Sequence, residues 1–112
     1  MSNTYDVLNA LKPLIEAKNS KHKVMGPSYS KEGDIHSTLH IHSLTSLLAS
    51  GKVFTISIHT HYIPFKGADY ELCLTVAEGN ITHTHLRFPI QRADISVEGI
   101  KRILKEKVNM TL

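Results

Sequence analysis

Residues 53–62, Val-Phe-Thr-Ile-Ser-Ile-His-Thr-His-Tyr, alternate between large apolar side chains and small or polar ones. A period of two residues is typical of a β-strand, because successive side chains point to opposite faces of a sheet. Phe54 and Ile56 then share one face, and His59 and His61 share the other. This stretch therefore predicts a strand with one face for a core and one polar face that carries two histidines.

Two further segments with the same periodicity follow at residues 69–77 and 80–88. An alternating stretch at 35–42 comes earlier, and together these segments predict an antiparallel sheet of about four strands. The sequence leaves open whether the 35–42 strand lies beside the other three.

The 35–42 stretch has its own expected orientation. Leu39 and Ile41 are its apolar positions, so we expect them to face the core. His40 and His42 would then point to the polar face.

Apolar residues at helical spacing predict three helices. The first covers residues 4–18 and includes Pro13, which should kink or split it. A short second helix begins at Ser43, and the last begins at Asp94 or Ser96. The fold class is therefore α+β, with the order α-β-α-β-β-β-α and helices packed on one face of the sheet.

Residues 19–34 are polar and rich in turn formers, so we interpret them as a flexible loop. The neighbourhood of this loop is basic, and the segment 18–31 is a candidate binding region. Its lysines are Lys18, Lys21, Lys23 and Lys31.

The length and composition predict one soluble domain over residues 1–112. No apolar run is long enough for a membrane span, and the first residues do not resemble a signal peptide. The single cysteine, Cys73, excludes an intrachain disulfide and favours a reducing, cytoplasmic location. The formal net charge of +3 does not by itself indicate a nucleic-acid partner.

A His-x-His motif occurs three times in the predicted strands. On a strand this spacing places both rings on one side of the sheet. Because all three pairs are predicted to lie opposite the core, the sequence indicates one histidine-rich sheet face. The pairs are His40 with His42, His59 with His61, and His83 with His85.

The two hairpins decide which side chains are neighbours on that face. In the last hairpin a two-residue loop, Gly79–Asn80, would mix apolar and charged side chains on one face. A three-residue loop, 78–80, separates them, and we favour that register. With Tyr62 opposite Tyr70, the predicted rows are His59, Cys73 and His85; His61, Glu71 and Arg87; and Ser57, Thr75 and His83.

One hypothesis for this face is a metal site. Imidazole and thiolate are ligands that zinc prefers, and His59, Cys73 and His85 form the best predicted trio. Zinc with an open coordination position would support a zinc-dependent hydrolase or phosphoesterase, with Glu71 as its base. This enzyme is the alternative function, and the favoured function requires no cofactor.

The favoured function is a non-enzymatic binding protein of the adaptor or inhibitor type. It would engage a macromolecular partner or a phosphorylated ligand through this face or the 18–31 loop, and a homodimer through the sheet is a further alternative. A nucleic-acid partner is less supported, because the face lacks the aromatic pair of sheet-type RNA binders; no membrane partner is expected. A solvated polar face with no ligand remains the competing interpretation. The predicted ligand-binding residues are Ser57, His61, Glu71, Thr75, His83 and Arg87.

Overall fold

A computed structural model describes residues 3–18, 24–48 and 50–112. They form one α+β domain in which a five-stranded antiparallel sheet has the strand order β1-β2-β3-β4-β5. Each strand therefore pairs with its neighbour in sequence. The elements are α1 (Thr4–Lys18), β1 (Val24–Gly33), β2 (Thr38–Leu47), β3 (Val53–Ile63), β4 (Gly67–Glu78), β5 (Ile81–Ile90), a 3₁₀ turn (Arg92–Asp94) and α2 (Val97–Val108).

The core lies between the two helices and one side of the sheet, which we call the helix face. Burial of these apolar side chains stabilises the fold and fixes which face of each strand the helices cover. The central buried residues are Leu8 and Leu11 of α1, Ile56 and Ile58 of β3, Leu72 and Leu74 of β4, and Ile100 and Leu104 of α2.

The structure confirms the predicted positions of both terminal helices, α1 and α2. Helix α1 has the predicted bounds and runs through Pro13 as one helix, so the predicted split does not occur. Helix α2 begins after Ser96, whose side chain accepts a hydrogen bond from the backbone nitrogen of Gly99. This is the expected capping role of a serine, and Asn109 ends the helix in a left-handed conformation.

The predicted 19–34 loop is wrong for its described part, because residues 24–33 form the edge strand β1. The register between β1 and β2 shifts between Met25 and Ser28, which leaves Gly26–Pro27 as a bulge. Gly26 has a φ of +110°, and a Cβ there would lie 2.7 Å from the backbone oxygen of Ser43. Gly26 and Pro27 are thus accommodated in a bulge, and the strand continues on both sides of it. Residues 19–23 lie outside the described residues.

The predicted short helix after Ser43 is also wrong, because β2 continues as one strand to Leu47. Leu44 and Ser46 of this strand pair with Ile56 and Phe54 of β3. They therefore lie on the helix face, where both are buried. Hydrogen bonding to strands on both sides outweighs the local helical spacing of the leucines.

The orientation of β2 differs from the prediction for the same reason. Because side chains alternate, the burial of Leu44 also places His40 and His42 on the helix face. Leu39 and Ile41 lie on the opposite side of the sheet. The first His-x-His pair is therefore separated from the other two by the sheet itself.

The registers of the last two hairpins differ from the predicted ones by two residues. His59 pairs with Glu71 rather than with Cys73, and Cys73 pairs with Arg87. The last hairpin turns at Gly79–Asn80, and the register then shifts at His83, the extra residue of β5, which restores the separation of apolar and charged side chains. A slip of two residues keeps the side chains of β3, β4 and residues 84–88 on their predicted faces and changes their neighbours.

Candidate functional site

The side of the sheet that points away from the helices, which we call the open face, is not covered by any helix in the described part of the chain. Its centre consists of small side chains, and Ser57 and Cys73 are only 8% and 5% exposed because larger neighbours surround them. The Oγ atoms of Ser43 and Ser57 are 2.8 Å apart across β2 and β3. The central hydroxyl-bearing residues are Ser43, Thr45, Thr55, Ser57 and Thr75.

Apolar side chains surround this centre. Leu39, Ile41 and Val53 are half-buried on the open face, although they lie on the far side of the sheet from the core. At one corner Met25 is 61% exposed and Leu47 is 44% exposed. The open face therefore carries a mixed aliphatic and hydroxyl surface rather than the alternating charges of a fully solvated sheet face.

The charge of the open face differs from that of the whole chain. Among the described strand residues of this face, the carboxylates Glu32, Asp69 and Glu71 accompany one permanently charged base, Arg87. With neutral histidines this face is therefore net acidic, whereas the chain has a formal charge of +3. Lys31 of β1 points to the helix face.

His59, Glu71 and Cys73 form a compact group at the centre of the sheet. One ligand atom from each residue lies within 4.8 Å of the others. The Cys73 thiol donates a hydrogen bond to Oε1 of Glu71 over 3.6 Å, and Nε of Arg87 donates to the same oxygen. Nδ1 of His59 is buried and has no hydrogen-bond partner among the described atoms. We call these three residues the His59–Glu71–Cys73 cluster.

The electrostatics of the cluster fix its protonation near neutral pH. Burial raises the pKa of the Cys73 thiol to about 11, so the protonated thiol predominates. The hydrogen bond from Arg87 lowers the pKa of Glu71, which stays ionised. Burial, followed by the charge of Arg87, lowers the pKa of His59 and favours the neutral imidazole.

The structure brings together two residues of the predicted metal trio. His59 and Cys73 belong to the cluster, and Glu71 completes it in place of His85. His85 pairs with Thr75, one row further along the open face. From the sequence, Glu71 is predicted to act as a base. The observed register pairs Glu71 with His59 and so makes it a neighbour of both His59 and Cys73.

The predicted ligand-binding residues share the region of the open face but do not converge on one point. Glu71 and Arg87 form the predicted ion pair, through a diagonal contact rather than a direct pairing. His61 pairs with Asp69, and His83 lies near the turn with Nε2 at 3.8 Å from Oε2 of Glu78. The remaining two, Ser57 and Thr75, lie in the central hydroxyl-bearing group.

A cavity of about 880 Å³ lies at the edge of the sheet where β3 ends and β4 begins. His61, Asp69 and Glu71 line it from the open face, and His40 and Thr60 line it from the helix face. The cavity therefore wraps around the end of the sheet.

The histidines of β2 belong to an aromatic group on the helix face that the sequence did not predict. Tyr29 Oη lies 2.7 Å from Nδ1 of His40, and the rings of Tyr29 and His42 are 4.8 Å apart. Tyr5 of α1 contacts His42 edge-on, and burial lowers the pKa of His42. Leu44 lies two residues after His42, and residues two apart on a strand share a face. If the strand had been extended to Leu44, this leucine would have indicated that His42 faces the helices.

No protein-family model, curated protein or solved structure matches this chain. Within the described residues, neither helix has the length and apolar character needed to cross a membrane.

Proposed function

We propose that this chain is a non-enzymatic binding protein, of the adaptor or inhibitor type, which engages a protein partner through the open face. The observation that carries the proposal is the aliphatic and hydroxyl surface on the uncovered side of the five-stranded sheet. Within the described residues, no helix packs against this surface.

The composition of this surface favours a protein contact over bulk water. The centres of protein interfaces are depleted in charged residues and in lysine, and they are enriched in methionine and arginine. The open face has Met25 and Leu47 exposed at one corner and Arg87 as its permanent cation.

The charges favour a protein partner over a phosphorylated ligand or a nucleic acid. Phosphate groups would approach the carboxylates of Glu71 and Asp69, and Arg87 already donates to Glu71. Binding to a nucleic-acid backbone depends on several available cations. In the basic 18–31 segment Lys31 points to the helix face, and Lys21 and Lys23 lie outside the described residues.

The zinc-dependent hydrolase receives less support from the same geometry. Such an enzyme needs a general base beside the metal ligands, and Glu71 lies among the ligand atoms of the cluster.

A matched pair of arginine substitutions tests the proposal. Thr55→Arg places a large charged side chain at the centre of the open face, and Glu106→Arg places the same side chain on an exposed position of α2. We expect Thr55→Arg to weaken binding of a captured and purified partner about tenfold or more, and Glu106→Arg to leave the Kd unchanged.

Affinity capture from the native cell, followed by calorimetry with the purified partner, provides the measurement. Circular dichroism and thermal unfolding of both variants establish that each is folded. Equal affinity of wild type and Thr55→Arg for the same partner would place the binding surface elsewhere and overturn the proposal.

A further inference from the structure

Beyond partner binding, we infer that the His59–Glu71–Cys73 cluster is a binding site for a transition-metal dication of the zinc class. The inference concerns this chain alone and does not depend on the proposed partner. It rests on the arrangement of three donor atoms and on an unpaired ring nitrogen.

The backbone already places the three donors side by side. His59 of β3 pairs directly with Glu71 of β4, and Cys73 lies two residues further along β4 on the same face. In a tetrahedral zinc site with bonds of about 2.0–2.3 Å, ligand atoms stand roughly 3.3–3.8 Å apart. The Sγ of Cys73 and Oε1 of Glu71 are 3.6 Å apart, and all three donors lie within 4.8 Å. Small side-chain rotations therefore suffice to close the site.

The unpaired nitrogen of His59 is an independent observation. Its Nδ1 is buried without a hydrogen-bond partner among the described atoms, although a buried polar atom normally has one. A metal ion bound through Nδ1 of His59 would relieve this deficit. β3 and β4 each pair with a strand on both sides, so the donors project from a firmly held backbone.

The donor set selects the class of metal. Imidazole and thiolate suit zinc and its neighbours, whereas magnesium and calcium prefer a shell of oxygen ligands. On binding, the Cys73 thiol releases its proton to solvent and becomes the thiolate ligand. Thiolate and carboxylate together neutralise the two charges of the ion, and water can occupy the fourth position.

Arg87 is the group that competes with the metal. It donates to Oε1 of Glu71 and must leave that oxygen when the carboxylate binds a cation. The Arg87 side chain is 50% exposed, so it can swing into water. We therefore expect Arg87→Met to tighten metal binding several-fold.

Titration of the full, untagged chain with Co²⁺ tests the site. Cobalt reports its own ligands, because a bound thiolate produces a near-ultraviolet charge-transfer band and tetrahedral coordination intensifies the visible bands. We expect one equivalent to bind with both features, and zinc to displace it. Cys73→Ser should abolish the near-ultraviolet band, and His59→Ala should weaken binding by about tenfold or more.

His85→Ala is the matched control, because His85 lies on the open face one row from the cluster and outside it. It should keep both the band and the affinity. Glu71→Gln is a second, nearly isosteric variant that decides the question if Cys73→Ser fails to fold. Absence of the near-ultraviolet band in wild type, or binding that survives both His59→Ala and Glu71→Gln, would overturn the inference. Neither result bears on partner binding, which is measured separately.

Discussion

The tripeptide His-Thr-His occurs in two strands of this sheet, at residues 59–61 of β3 and 83–85 of β5. In β3, which has strands on both sides, His59 is half-buried and contributes to the cluster. In β5, at the edge of the sheet, His83 and His85 are exposed, and a register shift at His83 interrupts the regular pairing.

The difference shows that the motif fixes only the spacing of the two rings along a strand. The place of the strand in the sheet determines how far each ring is exposed to water. On a central strand the neighbours partly shield the ring from water, which lowers the pKa of His59, and its Nδ1 is buried without a hydrogen-bond partner among the described atoms. On the edge strand the side chains of the same tripeptide remain in contact with water. Position within the sheet therefore separates a candidate metal ligand from a surface histidine.

The largest expected contrast concerns the residue that precedes each tripeptide. Ile58 is fully buried, whereas Thr82 is exposed. Ile58→Ala should lower the free energy of unfolding by about 2–5 kcal/mol, because it removes core contacts and leaves a cavity. Thr82→Ala should change it by less than about 0.5 kcal/mol. Urea denaturation measures both, and similar losses would show that the exposed residue before the tripeptide of β5 contributes to stability as much as the buried residue of β3.

A smaller contrast concerns acid sensitivity. The pKa of His59 is lowered in the folded state, so the unfolded chain takes up the proton first as the pH falls below about 6.5, and stability decreases. His59→Gln should remove part of that decrease, by less than about 1 kcal/mol because the ring remains partly solvated.

Urea denaturation at pH 7.5 and pH 5.5 gives the change in stability for each protein. His85→Gln is the control at an exposed ring on the open face, and it should keep the wild-type change. The distinction between the two strands would be lost if both glutamine variants behaved alike.

The smallest expected effect concerns the ion pair near the start of β5, beside the turn from β4. His83 Nε2 and Glu78 Oε2 are 3.8 Å apart, and both side chains are well exposed. A double-mutant cycle with His83→Ala and Glu78→Gln should give a coupling free energy below about 0.5 kcal/mol at pH 6. A larger coupling would mean that the edge histidine is held as firmly as the central one.

Much of the fold follows from local patterns in the sequence. The alternation in 53–62 and the apolar stripes of both terminal helices predicted β3, α1 and α2 closely, because these segments have one unambiguous period. The pattern failed at residues 43–48, where leucines three and four apart favour a helix and pairing with β1 and β3 imposes a strand.

The candidate site was less predictable for a physical reason. Hydrophobic alternation fixes which face a side chain occupies, and it is unchanged when a strand slips by two residues. His59 and Cys73 were therefore assigned to the correct face, but their partners depended on the true register. The bulge at His83 sets that register in the last hairpin, and the alternation of apolar and polar residues does not reveal it.

The uninterrupted strand order also has a consequence for how the chain reaches its native state. Because every strand pairs with its neighbour in sequence, each hairpin closes a short loop. Assembly of the sheet can then proceed hairpin by hairpin, without threading or a long crossover connection. The two terminal helices are the exception, since α1 and α2 come from opposite ends of the chain and contact each other on the helix face. This contact is therefore the part of the core that requires the two ends of the sequence to meet.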